Sequence, residues 1–249
     1  MRMLIQGVRD LGVTSGQVLV VHTAFSQLRP AVQRPEEVID GLLEVLGSTG
    51  TLVMPSMADD DDEPFDPSRT SCLGMGVVAD TFWRRPDVLR SNSPHAFAAI
   101  GPAALEILAP HPVEVPHGPE SPVGRARAAE AQILLLGVGH EANTTIHLAE
   151  DLYGVRYRAP RKAMIRDPEG RRRIVEYPEI DHCCERFERL DDALGPHQRR
   201  GWIGAGRVRL VHAQAVVEAA CRLLDADETA FLHPRGACVD CDVAWESLD

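Results

Sequence analysis

Residues 133–150 constrain the fold of this chain more than any other stretch. Four consecutive aliphatic residues at 133–136 indicate a buried strand. Gly137-Val-Gly139 follows them and indicates a tight turn, because glycine tolerates backbone conformations that other residues resist. Asn143 can cap a helix that continues through residues 144–150. The sequence therefore predicts a strand, a turn and a helix in direct succession.

The predicted helix carries His147 about one turn from its N-terminus. At 100° of rotation per residue, Thr144, His147 and Asp151 share one face of this helix. In open α/β sheets, ligands usually bind in the crevice where strands end and helices begin. We therefore expect His147 to lie at a ligand-binding crevice, although a polar surface helix whose histidine has no function would show the same spacing.

The rest of the chain is predicted to contain both helices and strands. Helices are predicted at residues 5–11, 36–46, 76–83, 102–108, 183–194 and 211–224. Strands are predicted at residues 18–21, 50–55 and within 89–101, and a hairpin over 161–177 with its turn at 167–170. The proline- and glycine-rich segment 115–125 is predicted to be a fixed irregular loop.

The loop after the first predicted strand is His22-Thr-Ala-Phe-Ser26. Its hydroxyls and backbone amides suit phosphate or carbonyl oxygens, because helix and turn starts present unpaired N–H groups. An ordinary capped turn has the same composition, so these residues alone leave both interpretations open.

The charge balance indicates which ligands the chain favours. The 249 residues carry 26 Lys and Arg against 37 Asp and Glu, a net charge of −11. This balance disfavours nucleic acid and anionic membranes as partners and favours a cationic ligand, although it can also serve solubility alone. An acidic run at residues 59–67 is either a solvated loop or a rim that attracts cations.

No apolar run is long enough to span a membrane and the N-terminus lacks a signal-peptide pattern, so we expect a cytoplasmic protein with reduced thiols.

The cysteines raise a separate question about metal. Cys238-Val-Asp-Cys241 has the spacing of half a zinc site, which the segment His182-Cys-Cys184 could complete. The predicted ligands of a structural zinc are Cys183, Cys184, Cys238 and Cys241. Free thiols are the alternative.

A set of short motifs, in order along almost the whole chain, resembles the aminoglycoside 3-N-acetyltransferase family, which is unrelated to the common GNAT acetyltransferases. The motifs are Leu19-Val-Val-His22-Thr-Ala-Phe-Ser26, Gly50-Thr-Leu-Val-Met-Pro55, Pro64-Phe-Asp-Pro67, Arg90-Ser91, Gly118-Pro-Glu-Ser121-Pro-Val-Gly-Arg125 and Leu135-Leu-Gly-Val-Gly-His140-Glu-Ala-Asn143-Thr-Thr-Ile-His147-Leu-Ala-Glu150. The resemblance implies an α/β fold with a mixed central β-sheet flanked by helices. It also implies a single acetyltransferase domain over residues 1–249, with an active-site cleft between two lobes.

The implied reaction is acetyl transfer from acetyl-CoA to the 3-amino group of a 2-deoxystreptamine antibiotic, by a monomer or a homodimer. By resemblance His147 is the general base, Glu179 or in its place Asp181 orients it, and Thr145 contacts the thioester. The residues implied for the acetyl-CoA groove are His22, Thr23, Ser26, Ser121 and Arg125. The acidic residues expected to bind the cationic substrate are Asp59, Asp66, Glu120 and Glu150.

The sequence also departs from the family pattern and leaves other functions open. Where relatives read Arg-Ser-x-His-Pro-x-x-Ser-Phe, residues 90–97 are one residue shorter with the histidine displaced, so the contacts of this loop are not implied. An acetyltransferase of another amine and a non-catalytic binder of cationic ligands remain alternatives. A metal-dependent hydrolase would be expected to carry an HExxH or His-x-His pattern, and the sequence has neither. A covalent route through Cys72 would need a base that the neighbouring sequence does not supply.

Overall fold

The computed structural model describes residues 1–58, 63–72, 74–166 and 169–249. Within these residues the helices are α1 (Arg2–Leu11), α2 (Pro35–Leu46), α3 (Gly76–Trp83), α4 (Ala104–Ile107), α5 (Pro122–Ala128), α6 (Thr145–Tyr153), α7 (Leu190–Leu194), α8 (Ala213–Ala226) and α9 (Val239–Glu246). The strands are β1 (Val18–Thr23), β2 (Thr51–Pro55), β3 (Leu89–Arg90), β4 (Phe97–Ile100), β5 (Gln132–Leu136), β6 (Ala159–Arg166), β7 (Arg172–Glu179), β8 (Gln198–Ile203) and β9 (Gly206–His212).

A mixed seven-stranded sheet forms the centre of the fold, in the order β3-β4-β2-β1-β5-β9-β8. Strand β1 runs parallel to both β2 and β5. The strands outside this parallel core, β4 and β9, pair antiparallel with β2 and β5. A separate two-stranded hairpin consists of β6 and β7. The expected fold class, a mixed central sheet flanked by helices, is therefore confirmed.

Each face of the central sheet contributes to its own hydrophobic core. Side chains alternate along a strand, so that in β5 Ile133 and Leu135 join one core while Leu134 and Leu136 join the other. Helices α5, α6 and α8 cover the first face, and α1, α2 and α3 cover the second. Because both faces are covered, β1 and β5 can consist almost entirely of aliphatic residues.

Several regions differ from the sequence predictions, among them residues 183–194, which form a 3-10 helix up to Arg189 and only then α7. The segment 115–125 is not wholly irregular, because α5 begins at Pro122 behind the capping hydroxyl of Ser121. The helix predicted at 211–224 begins two residues later, since Val211 and His212 end strand β9. The β8–β9 hairpin and helix α9 were not predicted at all. The predicted turn at 167–170 lies partly outside the described residues.

The helices that the structure describes include none with the length and apolar character needed to cross a membrane.

Candidate active site

A cavity of about 710 Å³ opens where the parallel strands β1, β2 and β5 end. Its wall includes His22 and Thr23 from the end of β1, Met54 from β2, and Asn143 and His147 from the segment after β5. This is the edge of an α/β sheet at which ligands usually bind, because strand ends and helix starts converge there. The crevice expected from residues 133–150 is thus present, and His147 faces it.

The local sequence explains how His147 reaches the cavity. Gly137 adopts a positive φ of 74°, and a Cβ at this position would lie 2.7 Å from the Cβ of Gln27, so only glycine fits the turn. The side chain of Asn143 then accepts a hydrogen bond from the amide of Thr145 at 3.2 Å. Asn143 was predicted to be the N-cap, but the N-cap is Thr144, because the helix begins at Thr145; Asn143 supports the turn one residue earlier.

His147 is held by a carboxylate on its own helix. Its Nδ1 lies 2.7 Å from Oε2 of Glu150, three residues further along α6. Residues three apart lie on the same helix face, so the two side chains meet without any help from the rest of the fold. With Nδ1–H donating to the carboxylate, Nε2 carries the lone pair and lies 3.5 Å from the Cys184 thiol. Both Cys184 and His147 line the cavity.

Glu150 is fully buried and accepts two further hydrogen bonds. The hydroxyl of Tyr157 donates to its Oε1 at 2.6 Å, and Nε2 of His182 donates to the same oxygen at 2.8 Å. Nδ1 of His182 lies 2.8 Å from the carbonyl oxygen of Cys183. Because both ring nitrogens of His182 face acceptors, the geometry suits its imidazolium form.

The electrostatics of this group follow from burial and pairing. Burial alone would raise the pKa of Glu150, but the charges and hydrogen bonds of His182 and His147 outweigh it and lower that pKa. Burial lowers the pKa of His182, yet Glu150 moves it upward overall. Burial also lowers the pKa of His147, while Cys184 and Glu150 raise it well above its usual value. Glu150 is therefore ionised, and its negative charge stabilises a proton on His147.

The carboxylate that bonds His147 in the structure is not one of the two predicted to orient it. Glu179 lies 3.2 Å from Nε2 of His95, and Asp181 forms an ion pair with Arg161. Glu150, which the sequence analysis assigned to the substrate, is instead the carboxylate bonded to His147. The cause is local: the i, i+3 spacing on α6 brings Glu150 to Nδ1, whereas Glu179 ends β7 and faces the cavity from the hairpin.

Two other histidines at this site were not predicted. The ring of His117 stacks on that of His147, with centroids 5.1 Å apart, and the ring of His95 lies 5.2 Å from His117. Burial lowers the pKa of His117 well below its usual value, so this ring is neutral. His117 lies in the segment predicted as a fixed loop, and no local pattern there indicated that it would reach His147.

Two buried polar atoms lack a hydrogen-bond partner among the described residues at the positions predicted to meet acetyl-CoA. They are Nε2 of His22 and the hydroxyl oxygen of Thr145. Burial lowers the pKa of His22 to about 4, so its ring is neutral and can donate or accept one further hydrogen bond. Buried polar groups are nearly always paired in folded proteins. His22 lines the cavity, so its Nε2 is suited to a ligand, whereas Thr145 is not among the lining residues and its contact with the thioester stays a prediction.

The remaining residues predicted for the acetyl-CoA groove have varied surroundings. Thr23 lines the cavity, and Ser26 is exposed in a short 3-10 helix. Ser121 caps α5, accepting from the amide of Gly124 at 3.3 Å and donating to the carbonyl of Gly118 at 2.6 Å. Arg125 donates to the carbonyls of residues 109 and 110. Ser121 and Arg125 thus support the loop structure, and their contact with acetyl-CoA stays a prediction.

Two of the four predicted substrate carboxylates, Asp66 and Glu120, do not line the cavity. Asp59 lies outside the described residues. Asp66 accepts hydrogen bonds from Ser68, and Glu120 is exposed on a turn; neither lines the cavity. Among the residues that the structure describes, the carboxylates that line it are Glu141, Glu179 and Asp181.

The four cysteines predicted as zinc ligands do not form one group. Cys184 contacts His147 in the cavity, as described above, while Cys183 lies in a cluster with Cys238 and His233, and the sulfur of Cys241 lies 3.6 Å from Nδ1 of His233. The structure therefore does not bring Cys184 together with the other three predicted ligands, since the consecutive residues 183 and 184 point in different directions.

Cys72 is not suited to a covalent mechanism. It is buried in the core on the opposite face of the sheet from α6, and burial raises the pKa of its thiol to about 11. A thiol with that pKa is a poor nucleophile near neutral pH.

Comparison with known proteins agrees with this geometry. Residues 20–225 match the family described as aminoglycoside 3-N-acetyltransferase. The chain is 47% identical to aminoglycoside N(3)-acetyltransferase IV from Salmonella sp. over 235 residues, covering 93% of this chain and 89% of that protein.

Solved structures show the same fold. The apoenzyme of aminoglycoside acetyltransferase AAC(3)-IVa superposes with a TM-score of 0.93 at 46% identity, covering 99% of this chain and 96% of that one. A histidine-to-alanine mutant of that enzyme in complex with a gentamicin gives a TM-score of 0.92 at 45% identity, with the same coverage. The chain therefore belongs to the aminoglycoside 3-N-acetyltransferase family and is an acyltransferase.

Proposed function

We propose that the chain transfers the acetyl group of acetyl-CoA directly to the 3-amino group of a 2-deoxystreptamine aminoglycoside, with His147 as general base and Glu150 as the residue that orients it. The observation that carries this proposal is the 2.7 Å contact between Nδ1 of His147 and buried Glu150, with Nε2 left facing the cavity. The names of the relatives supply the class of acceptor.

The chemistry requires a base at this position. An aliphatic amine arrives mostly as ammonium and becomes a nucleophile only after it loses a proton, which Nε2 of a neutral imidazole can accept. The ionised Glu150 fixes the tautomer with Nδ1–H and stabilises the imidazolium that forms. The amine then attacks the thioester carbonyl, the tetrahedral intermediate collapses, and CoA leaves as its thiol. A donor such as the Thr145 hydroxyl would stabilise the oxyanion of that intermediate.

The cavity offers charges for a cationic acceptor. Glu141, Glu179 and Asp181 line it, and the net charge of the chain is −11. Clustered carboxylates raise the local concentration of a cation. In this proposal residues 1–249 act as one domain, and the two walls of the cleft are the strand ends of the central sheet and the β6–β7 hairpin.

The test is release of free CoA thiol from acetyl-CoA with a panel of aminoglycosides, including gentamicin and apramycin. We expect thiol release with at least one 2-deoxystreptamine compound, and a product acetylated at its 3-amino group. Binding of the antibiotics without thiol release would instead support a non-catalytic binder. Release with simple amines alone would point to another acceptor.

Cys184 provides a test of direct transfer, because its thiol lies beside the proposed base. Direct transfer forms no acyl-enzyme, so Cys184→Ser should lower turnover by less than about tenfold, through the altered contact with His147 alone. Intact-mass measurement of the wild type with acetyl-CoA and no acceptor should show an unmodified protein. A stable acetyl adduct on Cys184, together with loss of turnover in the serine variant, would replace direct transfer by a covalent route.

A further inference from the structure

Three thiols and one imidazole meet away from the cavity, at the start of helix α9. One ligand atom each from Cys183, His233 and Cys238 lies within 4.8 Å of the other two. The sulfur of Cys241 lies 3.6 Å from Nδ1 of His233, and the thiol of Cys238 interacts with those of Cys183 and Cys241. We propose that Cys183, His233, Cys238 and Cys241 bind one structural zinc ion.

The contact between Cys241 and His233 has the spacing of two ligands of a tetrahedral ion. Zinc bonds of about 2.3 Å to sulfur and about 2.0 to 2.1 Å to nitrogen place neighbouring ligand atoms roughly 3.6 to 3.8 Å apart in a tetrahedron. The contact between Cys241 and His233 already has this length. A set of three cysteines and one histidine, including a Cys-x-x-Cys pair, is a common donor set of structural zinc sites.

Backbone amides point at two of the sulfurs. Sγ of Cys183 accepts from the amide of Glu185 at 3.5 Å, at the start of the 3-10 helix Cys184–Arg189. The amides of Asp240 and Cys241, in the first turn of α9, lie near Sγ of Cys238 and lower the pKa of its thiol. Zinc binds the thiolate form, and amides that donate to sulfur stabilise that form. Backbone amides thus lie near a cysteine sulfur at two separate helix starts, which favours a metal site over a chance cluster.

His233 has the orientation of a metal ligand. Its Nδ1 lies 3.6 Å from the sulfur of Cys241, while its Nε2 lies 3.7 Å from a carboxylate oxygen of Glu185. Metal-bound histidines typically donate their other ring N–H to a carboxylate or a carbonyl, which fixes the tautomer. The indole nitrogen of Trp245 donates to the carbonyl of His233 at 2.8 Å and so ties this residue to α9.

The proposed ion would connect the C-terminal helix to the active site. Cys183 lies between His182, which donates to Glu150, and Cys184, which contacts His147. A metal bound to Cys183 would therefore fix the segment that completes the Glu150 network. The metal site itself does not depend on the proposed acetyl transfer, so its test below uses metal content and stability, and either proposal can fail alone.

The first test is the zinc content of protein purified under reducing conditions without added metal. We expect about one zinc per chain in the wild type and in Cys221→Ser, a control cysteine on α8 that contacts the carbonyl of Ala149. Cys238→Ser and His233→Ala should each lose most of the zinc and unfold at a lower temperature. Zinc retained by both variants would overturn the proposed ligands.

A second test uses the wild type alone, in case the variants fold poorly. After removal of zinc with a chelator, cobalt(II) should bind in equal proportion to chain and give the intense visible and near-ultraviolet absorption of tetrahedral thiolate coordination. No zinc as purified and no cobalt uptake after reduction would refute the site. An intact mass showing a disulfide between Cys183 and Cys238 in freshly lysed cells would also refute it and assign these thiols to a crosslink.

Discussion

The variant His147→Ala should lower turnover by about 10² to 10⁴, because it removes the only group proposed to take the proton from the attacking amine. Substrate binding should change little, since the carboxylates that line the cavity and the buried ring nitrogen of His22 remain. The measurement is steady-state thiol release from acetyl-CoA with the best acceptor of the panel, together with calorimetric binding of each substrate.

The matched control is His197→Ala, which removes an exposed histidine between α7 and β8. It should retain wild-type turnover and stability, which would show that removing a histidine elsewhere in the chain does not lower turnover. If His147→Ala turned over as fast as this control, His147 would have no part in proton transfer.

The variant Glu150→Gln should lower turnover by about 10² and shift its pH dependence. His147 acts as a base only when neutral, and Cys184 and Glu150 hold its pKa well above the usual value. Wild-type activity should therefore rise as pH rises through that elevated pKa. Without the Glu150 charge the pKa of His147 falls, so the rising limb should move to lower pH while its plateau drops. The measurement is kcat/KM against pH with one acceptor for both proteins.

Stability should fall in the same variant. Glu150 is fully buried and accepts from His147, Tyr157 and His182. Removing one partner of a buried ion pair typically costs about 3 to 5 kcal/mol, because the other charge is left uncompensated. Thermal unfolding should therefore be recorded beside the kinetics. If Glu150→Gln proves too unstable to assay, Tyr157→Phe can be measured in its place. It removes one hydrogen-bond donor to Glu150 and no charge, so it should keep the wild-type pH profile.

Glu179→Gln is the matched control for charge, since Glu179 also lies near the cavity but bonds His95. The rising limb of kcat/KM against pH should move less in Glu179→Gln than in Glu150→Gln. A larger shift in Glu179→Gln would restore the assignment made from sequence and contradict the one made from geometry.

The sequence predicted the centre of the fold well because its signals there are local. The aliphatic run of β5 and the glycine turn each act within a few residues, and the structure contains both, while the predicted N-cap at Asn143 is displaced by one residue to Thr144. The β8–β9 hairpin was missed because arginines occupy much of both strands, which hides the apolar alternation that a half-buried strand usually shows.

The site was predicted only in part, for a similar reason. The helix predicted after β5 correctly placed His147 at the cavity. Its carboxylate partner was predicted to come from the segment that follows the β6–β7 hairpin, although the i, i+3 spacing of Glu150 on α6 was visible in the sequence. His95 and His117 come to His147 through loops, and His233 reaches Cys241 around the start of α9. Such long-range contacts depend on packing and leave no local pattern.

The central claim is that His147, held by Glu150, removes the proton from the acceptor amine. The most direct test is the pH dependence of kcat/KM for wild type and His147→Ala with the same aminoglycoside. We predict that the wild type shows a rising limb set by His147 and that this limb disappears in the variant, leaving only the titration of the amine itself. Identical rising limbs in both proteins would contradict the account.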